Sequence, residues 1–148
     1  MARKLDHSAA DIIRNLLVDD GVATLPSASD SWPAEVNLVR DKPDSAITVN
    51  DTAGVHTGRA MVGGQSRQAW GIQVQVRGVS QTVAVQKAED IYQHFDDVLR
   101  QAVTVGSTDY IVQAIHNSSP PVPVGLESDA SSRFLYTVNA LCAIRKTS

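Results

Sequence analysis

Within residues 51–69, which carry four glycines and two arginines, Gly58 and Gly63 have the glycine spacing of a phosphate-binding loop. Such a loop needs a lysine for the phosphates and a Ser or Thr for magnesium, between a strand and a helix. Gly64 and Gln65 occupy those two positions and a strand pattern follows, so the stretch does not read as a nucleotide site. Gly64-Gln65-Ser66-Arg67-Gln68 opens like a nucleophile elbow, but it lacks the second glycine and the helix that must follow the serine. His7, His56, His94 and His116 show no ligand spacing on one element and have no cysteine partner, so no metal site is expected. His94 with Asp96 and Asp97, and the pair Asp19 and Asp20, read as solvated charge. Cys142, the lone cysteine, lies in an apolar run and is expected to be a buried thiol. No catalytic or cofactor-binding residue is identified.

The elements that would position any site are clearer. Between Trp70 and Arg100 the hydrophobic period changes once. Ile72, Val74 and Val76 alternate with Gln73, Gln75 and Arg77, the pattern of a strand with one dry and one polar face. Gly78 ends it and Ser80 can cap a helix whose apolar face runs through Ala84, Ala88, Ile91, Phe95, Val98 and Leu99. An earlier helix is predicted from the Ser8 cap through Ile12, Ile13, Leu16 and Leu17 to Gly21. Residues 35–40 and 46–50 read as short strands and 109–116 as another, with 102–105 open between helix and strand. Phe134, Tyr136, Val138, Ala140, Cys142 and Ile144 line one face of a long central strand. Two stretches stand apart: 52–69, either a functional arm or the irregular part of a long hairpin projecting from the sheet, and a proline-rich loop at 117–132 expected at a sheet edge.

This order predicts a single α+β domain: one mainly antiparallel or mixed β-sheet with an N-terminal helix and a central helix packed on it. At 148 residues it can bury about 70% of its unfolded surface. No run is long enough to span a membrane, and a net charge of −3 with dispersed basic residues argues against specific nucleic-acid binding.

The arrangement resembles the phage tail terminator and tail-completion proteins, which include small proteins known as phage minor capsid proteins. The resemblance rests on the N-terminal helix, Trp32-Pro33, the segment PDSAITVNDTAG at 43–54, GIQVQVRG at 71–78 leading to a helix, the Ser118-Ser119-Pro120 turn and RFLYTVN at 133–139. It implies a non-enzymatic virion protein without cofactors, made in the host cytoplasm and placed at the neck of the tail. Its partners would be further copies of itself in a ring, six-fold in a long-tailed phage, the major tail tube protein, and a head-tail connector or stopper. On that reading the interface candidates are Arg59, Met61 and Arg67 on the arm, Gln73, Gln75 and Arg77 on the strand, and Pro120 and Pro121 in the proline loop. A head-tail stopper, or a small enzyme or ligand-binding domain with a site assembled across the fold, are the competing readings.

Overall fold

The computed structural model describes residues 5–26, 32–39, 44–59, 66–126 and 133–147. Its elements are α1 (Ala9–Asp19), β1 (Ala34–Val36), β2 (Ala46–Arg59), β3 (Ser66–Gly78), α2 (Gln81–Asp97), β4 (Leu99–Val105), β5 (Thr108–Asn117), β6 (Val122–Leu126) and β7 (Phe134–Lys146). The strands form one mixed sheet in the order β1-β2-β3-β7-β5-β4, so the fold is α+β as expected. Among the described strands β1 and β2 run parallel and the remaining ladders are antiparallel. β7 is central: β3 pairs along one edge, while β5 and β6 share the other, β5 against residues 140–146 and β6 against 134–137.

Both helices lie against the dry face of the sheet. The Ser8 hydroxyl accepts the Asp11 N–H and the Ser80 hydroxyl accepts the Val83 N–H, so each helix starts where its cap predicts. Ile12, Ile13, Leu16 and Leu17 of α1 and Ala84, Ala88, Ile91 and Phe95 of α2 are buried against Val49, Val74, Val76, Tyr110, Val112 and Val138. α1 runs beside β4 as well as β1 and β2, at opposite ends of the strand order, so the sheet curls around it. Cys142 is buried in this core, and loss of hydration pushes its thiol up to about 12.

Some expectations are corrected and open ones are resolved. α2 ends at Asp97 with Val98 extended (ψ 121°), so Leu99 begins β4 and is 76% exposed instead of completing the helix face. Residues 102–105 are strand. The stretch at 35–40 supplies only β1, because Asn37 turns the chain out of the ladder at φ 54°, a region asparagine tolerates. β2 continues past Asn50 to Arg59, so the described part of the arm is a hairpin with β3 and not irregular backbone. The proline loop holds β6, which lies at an edge as its prolines require.

A candidate assembly surface

The arm leaves the sheet through a close backbone crossing. β2 and β3 are in register from Ala46↔Arg77 to Thr52↔Gly71, slip between Thr52 and Val55, and slip again between His56 and Gly58. A Cβ on Gly71 would collide with the Ala53 carbonyl and the Thr52 hydroxyl, and one on Gly54 with the Ala69 carbonyl. Two glycines therefore let the strands touch where the extra residue bends the ribbon. Arg59 pairs with Ser66 and Gly58 with Arg67 toward the far end of the hairpin, which places both arginines on the arm. Met61 lies outside the described residues.

A knot at the base fixes where the arm departs. Asp51 Oδ1 accepts the Ala10 N–H at 2.9 Å, which satisfies a donor in the first turn of α1. Asp51 Oδ2 accepts Asn37 Nδ2 at 2.8 Å, and the Asp51 N–H donates back to Asn37 Oδ1 at 2.9 Å. One carboxylate thus joins α1, the end of β1 and the arm.

The sheet face away from the helices carries the polar row, and its three members differ. Gln73 stands between Asn50 and Asn139 and donates to Asn139 Oδ1 at 3.1 Å. Gln75 stands between Thr48 and Thr137 and is half-buried. Arg77 is only 3% exposed, against the expectation of an outward-facing group, and its Nε donates to the Asp44 carbonyl at 3.2 Å. Thr48, also buried, donates to the Leu38 carbonyl. The backbone around Leu38 and Asp44 therefore meets this end of the outer face, and a guanidinium there is held by hydrogen bonds instead of water. The open part of the row is Gln73 and Gln75.

Pro120 and Pro121 lead from β5 into β6. The Ser118 N–H donates to the Asn139 carbonyl, the Ser119 hydroxyl donates to the Pro120 carbonyl, and Asn117 Nδ2 donates to the Tyr92 carbonyl and to Asp96 Oδ1, tying this corner to α2. Val122, Val124 and Leu126 beyond it are 42%, 55% and 47% exposed, an apolar content unusual for a free edge strand.

Two groups read as solvated charge have structural roles instead. His94 Nε2 lies 2.7 Å from Asp20 Oδ2, and Gln101 Nε2 donates to Asp20 Oδ1 at 2.7 Å, so Asp20 joins the end of α1 to α2 and β4. These partners are 74 and 81 residues away, and no local pattern signals them. The Tyr110 hydroxyl accepts the N–H groups of Asp6 and His7 and lies 2.8 Å from His7 Nδ1, which pins the chain ahead of α1 to β5. Lys87 packs 5.4 Å from the centroid of the Trp32 ring, and burial lowers its pKa more than Asp90 raises it. Among the described residues no three His, Cys, Asp or Glu side chains stand close enough to hold a metal.

These features define a class: a small α+β domain whose distinctive parts are a projecting ribbon, an apolar edge strand and a polar sheet face, all suited to contacts with other proteins. The chain belongs to the bacteriophage tail terminator protein family, whose model matches residues 16–146. The match runs from the last turn of α1 to the end of β7, taking in the arm and the proline corner. Comparison with curated proteins finds no significant match. The family is one of structural proteins of the phage tail.

Proposed function

We propose that this protein caps the head-proximal end of a phage tail tube as a closed ring, terminates tube polymerisation and offers the surface that joins tail to head. Membership in the tail terminator family supports this reading, and the arm is the observation that carries it to particular residues. A ring needs a heterologous contact, with a different patch on each side of the subunit, whose rotation closes. The arm on β2 and β3 and the corner from Pro120 to β6 are distinct surfaces that meet this requirement. Six copies is the expected number in a long-tailed phage. The ring sits between the major tail tube protein on one side and a connector or stopper on the other, in the neck of the virion.

Reversing the arm's charge tests this assignment. Arg59→Glu with Arg67→Glu is expected to leave the monomer folded, because the arm contributes little core, and to weaken assembly. Normal ring formation and tail joining by the double variant would remove the arm from the interface. A component that binds only the portal side and never tube ends would instead be a stopper.

A further inference from the structure

The edges of the sheet are not equally protected. β1 is three residues long, β6 carries Pro123 and a register slip before Gly125, and β4 has α1 running beside it. Short length, proline, bulges and helical cover are the usual ways in which a free edge is kept from pairing with another chain. The described arm carries two such slips within its own ladder, but no proline and no short strand of the β1 kind. β1 covers residues 47–49 of β2, and the Asp51 N–H is taken by Asn37, but among the described residues 52–59 pair only with β3. On the other side β7 reaches Trp70, so among the described residues 66–69 pair only with β2. Those twelve residues include no proline and no lysine.

The arm is therefore a two-stranded ribbon open along both edges. Where its burial is described the arm is little covered: Val55, opposite Ala69, is 47% exposed, and Gln68 is exposed. An isolated two-stranded ribbon is marginal in water, and its unpaired N–H and C=O groups favour a further strand.

We infer that the partner of this ribbon is the same ribbon in a neighbouring copy: residues 52–59 of one arm pair with residues 66–69 of the next. Because β2 and β3 are antiparallel, repetition around a rotation axis alternates strand direction and yields a closed barrel of hairpins, two strands from each copy. The contact is heterologous, since the β2 edge meets the β3 edge, and closure gives each arm a neighbour along both edges. The inference rests on the ring reading given above and names the contact that closes the ring.

Cross-linking tests it directly. Cys142 is buried, so cysteines placed at Val55 and Ala69, which share one face of the ribbon, are the reactive ones. Mixing the Val55→Cys protein with the Ala69→Cys protein and adding a short bis-maleimide should give cross-linked dimers. Amide exchange adds a readout without substitution: residues 52–59 and 66–69 should exchange at least about tenfold more slowly in the ring than in the dilute monomer. Rings that form with fast-exchanging arms and no 55–69 cross-link between copies would overturn the inference and leave the ring reading standing. A protein that forms no ring and binds no tube end would overturn both.

Discussion

Asn37 and Asp51 exchange two hydrogen bonds across the end of β1, at 2.8 and 2.9 Å, while the other Asp51 oxygen holds the Ala10 N–H of α1. The carboxylate serves as a cap for a helix to which it is not adjacent in sequence, and it sits where β2 leaves the sheet. Asp51→Ala should lower stability by about 1–2 kcal/mol, the usual cost of losing a capping acceptor, with a fall in Tm of about 2–4 °C per kcal/mol. Thermal denaturation followed by circular dichroism measures this, and an unchanged Tm would show that water replaces the carboxylate at no cost.

Gly54 and Gly71 let the two strands of the arm cross in contact. Gly71→Val should push the strands apart and destabilise the hairpin locally by about 1–3 kcal/mol. Limited proteolysis should then cut the arm faster than in the parent protein, and the ring population should fall at the same concentration. An arm as resistant as the parent's would place the bend elsewhere.

Arg77 and Gln75 stand two residues apart on one face of β3, yet only Arg77 is fully buried. Arg77→Ala removes a donor to the Asp44 carbonyl together with a packed side chain, and should cost about 2–3 kcal/mol in chemical denaturation. Gln75→Ala should stay within about 0.5 kcal/mol of the parent and act on assembly instead. Equal destabilisation by both substitutions would argue against separate roles.

Cys142 titrates near 12 in the folded chain and near 9 when unfolded. The folded state favours the protonated thiol, so its contribution is fully present below about 9 and is lost as pH rises toward 12. At pH 8 the native protein should resist iodoacetamide, and the unfolded chain should react readily. Rapid alkylation without unfolding would contradict burial of the thiol.

The sequence made some of this visible. The caps at Ser8 and Ser80, the alternation through Ile72, Val74 and Val76, and the dry face of β7 predict both helices and the central ladder because each buries a periodic apolar face. The arm gave no such signal. Its strands are joined by backbone hydrogen bonds, with Val55 and Gln68 both exposed, so hydropathy does not alternate along it. The knots at Asp51 and Asp20 were hidden for another reason: their partners lie 14 to 81 residues away and meet only in the folded sheet. Arg77 looked like surface because its alternation with Val76 is correct; the outer face it lies on is buried at that end.

The central claim is tested most directly by adding the purified protein to polymerising major tail tube protein and imaging the products by negative-stain electron microscopy. The account predicts a ring of density at one end of each tube and tubes that cease to lengthen once capped. Tubes that grow unchecked with bare ends, in the presence of excess folded protein, would contradict it.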